Sequence, residues 1–324
     1  MVDFMEDLRV QTMEMLEKYQ VKYKKSEETH ALIVRLYTFF EKYIPPLNRD
    51  VFISKELTES LDTYPNSVRV AFEKMSKWVR GGKDINCFQS RGLRGSGSRD
   101  YQNMIYRVVH LHLSAKADDV NPVVKEDGFT KPGKYLLYAY SDAASAYFIK
   151  ILKHPKKSKG SENTDSEWIS KDILGIITRN WPELLADRKI ENAFLCDEDG
   201  NRIDIDDNAI AALTASHVNT MFCVGNALYS PGLGMTASGD SFIAVLNANR
   251  LYNDAVIAQK YYEDNEKAIF EVFERLSSRY NQRIPTSFDI HYDYVDSLKR
   301  FLVVDRNSGV AYDCKTNMFV LCTA

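Results

Sequence analysis

The chain has 324 residues, of which 27% are charged and 44% are hydrophobic, and its net charge is −3. This balance excludes a histone-like or ribosomal-tail protein, so any nucleic-acid site must be a local basic patch. The sequence contains no apolar run long enough for a transmembrane helix and begins with no signal-peptide pattern. The five cysteines are scattered without CxxC spacing, which favours reduced thiols. We therefore expect a cytoplasmic protein that contacts no membrane.

The first 80 residues predict helices. A first helix spans about residues 3–22, and a second begins after Ser26 and ends at Pro45-Pro46. The second helix has one apolar stripe at helical spacing, formed by Ile33, Leu36, Tyr37, Phe40 and Ile44. A third stripe predicts a helix over 67–80, followed by a basic, glycine-rich loop at 90–99.

Strand-like runs follow at 105–114, 135–140 and 146–152. A short polar link joins the last two, and it is too short for a parallel crossover, so an antiparallel meander is expected. The second half predicts helices and then a β-hairpin series. The helices lie at about 170–180, 207–216, 241–258 and 265–279, and the strands at 287–294, 300–305, 310–314 and 318–322.

The fold class is therefore α+β, with N-terminal helices, a central antiparallel β meander, then helices and a C-terminal β meander. We predict three domains. Residues 1–65 form an N-terminal helical hairpin, residues 66–186 form a helix plus an antiparallel sheet, and residues 187–324 form an α+β C-terminal domain. The middle domain is the candidate nucleic-acid or catalytic domain.

Two histidines on the first predicted strand are candidate catalytic residues. His110 and His112 are two residues apart, so both point to one face of the strand, while Leu111 and Leu113 point to the core. The two form half of a metal site, for which His154 could supply a third ligand, or they act as an acid–base pair that works without metal. A third interpretation is two histidines on the polar face of a half-buried strand. Other metal-ligand types are sparse nearby, so we predict no metal and no cofactor.

Local positive charge surrounds this meander. Residues 69–116 contain ten basic and three acidic residues, and residues 150–159 contain five lysines and no acid. Such patches favour a phosphate backbone, although a solvated basic face is the alternative. Arg107 is a candidate for stabilising the phosphorane charge, with Tyr138 positioning it. The candidate nucleic-acid-binding residues are Arg91, Arg94, Arg99, Lys150, Lys153, Lys156 and Lys157.

A second glycine-rich loop, 231–239, precedes a predicted helix. Its glycine spacing is that of a P-loop, but Asp240 stands where the phosphate-binding lysine belongs and would repel a nucleotide triphosphate. A helix-capping loop and a site for a single phosphate or sulfate both remain open. The candidate anion-binding residues are Thr236, Ser238, Gly239 and Ser241.

Residues of about 70–185 resemble RelE-type bacterial toxins. The resemblance rests on Leu136-Leu137-Tyr138 and on the run from Ile149 to His154, preceded by Arg107 and His110-x-His112. These toxins are small, metal-independent endoribonucleases with helices before an antiparallel meander. The chain also looks like uncharacterised proteins of bacterial mobile elements and phage-defence neighbourhoods.

Two functions follow. The first is a metal-independent endoribonuclease that acts as a toxin or abortive-infection effector, with His110, His112, His154, Arg107 and Tyr138 as catalytic residues. The second is a non-catalytic, nucleic-acid- or protein-binding subunit of a defence or regulatory complex. The binding subunit would recognise a protein partner, such as an antitoxin, through its N-terminal helices, and RNA or DNA through the basic patches. An exposed apolar stripe on those helices would favour it.

Overall fold

The computed structural model describes residues 3–95, 101–113, 124–154, 171–279, 289–292, 301–305, 310–314, 316 and 318–321. The α-helices in these residues are α1 (Phe4–Lys18), α2 (Thr29–Phe40), α3 (Lys55–Ser60), α4 (Asn66–Arg80), α5 (Tyr101–Tyr106), α6 (Lys171–Asn180), α7 (Asp207–Ala215) and α8 (Phe242–Arg279). The strands are β1 (Asp50–Ile53), β2 (Val109–Leu113), β3 (Tyr135–Ser141), β4 (Ser145–Lys153), β5 (Lys189–Glu191), β6 (Leu195–Cys196), β7 (Arg202–Ile203), β8 (Phe222–Val224), β9 (Ala227–Tyr229), β10 (Asp289–Tyr292), β11 (Phe301–Asp305), β12 (Val310–Asp313) and β13 (Met318–Leu321). The predicted α+β class is confirmed.

The chain divides into two compact units. We call residues 38–244 the sheet unit, and residues 1–37 with 245–324 the terminal unit. Both predicted boundaries, at 65/66 and 186/187, therefore fall inside the sheet unit. The reason is that β1 pairs with β4, and that Ile210, Phe222 and Tyr229 belong to the same core as β3 and β4.

The central sheet has the strand order β1-β4-β3-β2. Strands β2, β3 and β4 form the predicted antiparallel meander, with His110 opposite Tyr138 and Tyr138 opposite Lys150. Strand β1 adds a parallel neighbour to β4 that the sequence analysis missed. This strand is only four residues long and alternates exposed with half-buried residues, so its apolar signal is weak.

Strand β2 begins at Val109, four residues later than predicted. Residues 101–106 form helix α5, and the Arg107 amide still donates to Asn103 O at 2.8 Å. Arg107 then takes a left-handed backbone conformation, with φ 56°. Because this conformation interrupts the helix, the chain leaves α5 and enters β2 within two residues.

Both faces of the central sheet are buried. One face packs Leu111, Leu137 and Phe148 against α4, where the Phe72 and Phe148 rings are 5.6 Å apart. The other face packs Leu136, Tyr138 and Ile149 against apolar residues of α6 and α7. Those helical residues are Ile173, Leu174, Ile176, Ile177, Ile210 and Ala211. The sheet is therefore the middle layer of its unit.

The terminal unit has its own core. Phe4, Leu8 and Ile33 of the N-terminal helices pack with Leu251 and Ala255 of α8. The helices predicted at 241–258 and 265–279 form one continuous helix, α8, since no glycine or proline interrupts residues 242–279.

The predicted C-terminal meander is confirmed, as β10–β13 pair antiparallel in chain order. Within the part of the chain that the structure describes, no helix has both the length and the apolar character needed to cross a membrane.

Ser54 joins α3 to the central sheet and provides a test of this architecture. Its Oγ accepts from Leu57 N at 3.0 Å as the N-cap of α3 and donates to Ile149 O at 2.6 Å, and the residue is fully buried. We expect Ser54→Ala to lower the free energy of unfolding by about 1–2 kcal/mol, because it removes the cap and leaves a buried carbonyl unpaired.

Urea unfolding of the purified chain measures this change. Ser60→Ala is the control, because within the described residues the Ser60 hydroxyl bonds only to carbonyls of its own helix, and it should cost less than about 0.5 kcal/mol. Equal effects of the two substitutions would contradict the role given to Ser54.

Candidate functional site

The structure brings His110, His112 and His154 together on one face of the central sheet. The ring centroids of His110 and His112 are 5.9 Å apart, and the rings of His112 and His154 stack at 5.3 Å. Strand alternation places the first two on the same face. His154 follows β4, and its amide donates to Lys134 O at 2.9 Å, which fixes it beside the start of β3. We call these three residues the histidine cluster.

His112 is the buried member of the cluster, with 5% of its surface exposed. Burial lowers the pKa of His112 to about 4, and the neighbouring His110 and His154 lower it further. Its imidazole is therefore neutral at pH 7, and its Nδ1 makes no hydrogen bond within the described residues. His110 and His154 are only half-buried. These two are the partly exposed members of the cluster, and Nδ1 of His110 is itself buried.

Tyr138 lies next to the cluster but is fully buried. Its ring centroid is 6.5 Å from that of His110, and the residue is part of the core under α6. It contacts no solvent, so its effect on a substrate has to pass through His110. Lys150, opposite Tyr138 on β4, forms an ion pair with Asp172 of α6. This pairing reduces the charge that Lys150 offers to a nucleic acid.

Arg107 is placed apart from the cluster. It precedes β2 by two residues, whereas His112 lies near the other end of that strand, roughly 10 Å from Val109 at its start. The Arg107 side chain is exposed and lines a cavity that also contains Glu41, Arg49 and Tyr140. The histidines and Arg107, which the sequence analysis grouped together, therefore occupy two separate places.

The predicted basic patch is only partly described. Arg91 forms an ion pair with the Asp127 carboxylate, and Arg94 donates to the Asp127 carbonyl at 3.1 Å and lies over the Phe129 ring. Lys153 is exposed at the end of β4. Arg99, Lys156 and Lys157 lie outside the described residues. The two described arginines of this patch, Arg91 and Arg94, are thus both held by the short turn at 127–129.

In the loop 231–241 the hydroxyl groups face carboxylates. Ser238 Oγ donates to Asp240 Oδ2 at 2.7 Å and is 2.8 Å from Thr236 Oγ1. Ser241 Oγ donates to Glu41 Oε1 at 2.8 Å and caps the start of α8 through Ala244 N. Gly239 has φ 80° and allows the turn. The capping interpretation accounts for these contacts, and the Asp240 carboxylate opposes binding of an anion by Ser238 and Thr236.

Sequence analysis missed Glu41 and Lys134. Burial raises the pKa of Glu41 to about 7, although the Ser241 hydroxyl and the charges of Lys42 and Arg107 oppose this shift. Lys134 is exposed, and strand alternation puts it on the face of the histidine cluster, beside His154. Alternation counted back from Tyr138 could have identified Lys134. No local sequence pattern identifies Glu41, whose hydrogen-bond partner Ser241 lies 200 positions away in the chain.

Among the described residues, no group of three His, Cys, Asp or Glu side chains is arranged to hold a metal ion, and this includes the histidine cluster. Comparisons with protein-family models, with curated proteins and with solved structures found no match to the chain. Function must therefore be argued from the chemistry of the sites themselves.

The buried state of His112 predicts a specific loss of stability in acid. The imidazole titrates at 6.5 when unfolded and at about 4 when folded, so between these values only the unfolded chain binds the proton. The contribution of neutral His112 to the free energy of unfolding is fully present above pH 6.5 and decreases as the pH falls towards 4. From about pH 7 to about pH 4.5, the titration of His112 should lower the free energy of unfolding by about 2–3 kcal/mol.

Urea unfolding at these two pH values measures the decline for wild type and for His112→Gln, which cannot titrate. The difference between wild type and this variant isolates the contribution of His112. His30→Gln, in the terminal unit, is the control and should retain the wild-type decline. An unchanged acid profile in His112→Gln would show that His112 is not held neutral by burial.

Proposed function

We propose that the chain is a metal-independent endoribonuclease, acting as a toxin or abortive-infection effector, with His110 and His154 as its acid–base pair. The observation that carries this proposal is the histidine cluster, in which residues 42 positions apart in sequence meet on one sheet face. Imidazole is the side chain whose proton moves near neutral pH, so two accessible imidazoles suffice for cleavage of RNA without metal.

In the proposed reaction, one histidine acts as the general base and the other acts as the general acid. A neutral imidazole removes the proton of the 2′-hydroxyl, and the 2′-oxygen attacks the adjacent phosphorus. The bond from phosphorus to the 5′-oxygen breaks, and an imidazolium gives that oxygen its proton. The products are a 2′,3′-cyclic phosphate and a 5′-hydroxyl, and the base and acid have exchanged protonation states. This step requires two titrating groups on either side of one phosphate.

His112 supports this pair without contacting the RNA. Its ring stacks against His154 and lies edge-on to His110, so it fixes the spacing of both. Because it stays neutral at pH 7, it adds no charge that would oppose protonation of its neighbours. Its role in the proposal is to position the other two rings.

Lys134 is the cation that the proposal assigns to the phosphate. It lies beside His154 on the cluster face, and its side chain is exposed and forms no ion pair within the described residues. A lysine near the scissile phosphate stabilises the negative charge that develops during attack. This role replaces the one that the sequence analysis gave to Arg107.

The N-terminal helices give little support to the binding-subunit alternative, which needs an exposed apolar stripe on them. The apolar stripe of α1, which includes Phe4, Leu8 and Leu16, is buried in the chain itself. Leu32, Ile33 and Leu36 of α2 are also fully buried. These stripes are therefore not available to a partner protein, and an interface on α1 or α2 would have to use the other faces of those helices.

Cleavage of a single-stranded RNA in the presence of EDTA tests the proposal. We expect purified wild type to produce fragments with 2′,3′-cyclic phosphate ends, and His110→Ala/His154→Ala to lower the rate by at least about 100-fold. His30→Ala is the matched control and should cleave as wild type does. Circular dichroism of each variant verifies folding.

Expression in bacteria with mapping of RNA ends extends the same test to the cell. New ends and growth arrest with wild type, both absent in the folded double variant, agree with the proposal. Cleavage by the double variant at the wild-type rate, or no RNA ends from wild type with or without divalent metal, would contradict it and would leave the binding subunit as the better account.

A further inference from the structure

A cavity of about 320 Å³ lies in the sheet unit, where β2 begins and β3 ends. Its volume is at the lower end of the range of small-molecule sites, roughly 300–1,000 Å³. It is lined by three cations, Lys42, Arg49 and Arg107, and by the two carboxylates of Glu41 and Asp142. The nuclease proposal makes no use of this cavity.

Arg49 provides a buried guanidinium at the cavity. Only 6% of the residue is exposed, and its Nε and Nη1 donate to the carbonyls of Asp142 and Pro45 at 2.6 and 2.7 Å. Its Nη2 makes no hydrogen bond within the described residues, and the guanidinium forms no ion pair there. The Asp142 carboxylate instead accepts from the amides of Ala144 and Ser145. A fixed cation with unused donors is thus held in the wall of the cavity.

Arg107 provides a second guanidinium, presented by a constrained backbone. Its φ of 56° is unusual for a residue other than glycine and is maintained by its surroundings. A Cβ at Gly232 would lie 2.4 Å from Arg107 Cγ, so the loop packs directly on the arginine stem. The Gly232 amide also donates to Ile105 O at 2.7 Å. The guanidinium itself has no hydrogen bond or ion pair within the described residues.

Glu41 adds a polar group that does not neutralise these arginines by direct contact. Its Oε1 accepts from Ser241, and no ion pair joins it to Arg49 or Arg107. Burial raises the pKa of Glu41 to about 7, so near neutral pH a large fraction of this group is protonated. A protonated carboxyl donates a hydrogen bond to an anionic ligand, whereas a carboxylate would repel it.

We propose that this cavity binds the phosphate group of a small phosphomonoester, held by Arg49 and Arg107. The Arg107 guanidinium can match phosphate oxygens through paired N–H donors, whereas Arg49 contributes only its Nη2 because its Nε and Nη1 donate to carbonyls. Two guanidinium groups together oppose the double negative charge of a phosphomonoester. The size of the cavity suits a free metabolite or mononucleotide. None of the three histidines of the cluster is among the residues that line the cavity, so the cavity is a separate site and the proposal is independent of the ribonuclease function.

Isothermal titration calorimetry with inorganic phosphate, 5′-AMP and adenosine tests this inference. Phosphate and AMP should bind in the millimolar range or tighter, and adenosine should not compete with them. Arg107→Asn, chosen because asparagine tolerates the left-handed backbone, should weaken binding of both anions at least tenfold. The control Arg80→Asn removes an exposed arginine outside the cavity and should leave the affinity unchanged.

Two further variants make the result decisive. Glu41→Gln keeps a hydrogen-bond donor without a charge and should bind phosphate at least as tightly as wild type. His110→Ala/His154→Ala should retain wild-type affinity, which separates this site from the proposed nuclease site. The inference is overturned if neither anion binds, if adenosine binds as well as AMP, if folded Arg107→Asn retains wild-type affinity, if Glu41→Gln abolishes binding, or if loss of the histidines does so.

Discussion

Burial of both faces of the central sheet is the constraint on which the sheet unit depends. Leu136 and Leu137 are adjacent on β3, point in opposite directions, and are both fully buried. A sheet of this kind needs a layer on each side, and α4 supplies one while α6 and α7 supply the other. Polar side chains on β2–β4 are therefore confined to the edge strand, the strand ends and the margins of the covering helices.

This confinement explains the chemistry of both candidate sites. At one end of β2, burial keeps the imidazole of His112 neutral between two histidines that are less buried. At the other end, burial favours the protonated form of Glu41, and Arg49 is held by carbonyl oxygens instead of a carboxylate. The same loss of solvent that stabilises the sheet thus moves proton equilibria at its two ends, and groups with shifted equilibria are candidates for function.

Much of the fold could be predicted because its signals are local. The stripe of α4, formed by Val68, Phe72, Met75 and Val79, reappears as the helix face buried in the core. The meander β2–β4 followed from two-residue alternation and a short link. Strand β1 was not predicted, because its pairing with β4 joins segments about 95 residues apart, and local periodicity does not encode such a pairing. The two compact units also differ from the three predicted domains, since the first and last parts of the chain share one core that local patterns do not encode.

The candidate sites also differ in whether local sequence patterns predict them. Alternation and proximity of strand ends were enough to predict that the three histidines meet. The position of Arg107 could not be predicted, because the residue takes a left-handed conformation between α5 and β2, where the sequence predicted a continuous strand. The surroundings of Glu41 and Arg49 include contacts that are distant in sequence, from Ser241 and from the carbonyl of Asp142, and no local pattern encodes these contacts.

The central proposal is that the histidine cluster cleaves RNA by activating the 2′-hydroxyl of the RNA for attack on the adjacent phosphate. The most direct measurement compares two RNA substrates of identical sequence, one unmodified and one carrying 2′-O-methyl groups, in EDTA. The account predicts cleavage of the first and none of the second, because the methylated oxygen has no proton to give and cannot attack the phosphate. Equal cleavage of both substrates, or cleavage that appears only when divalent metal is added, would contradict it.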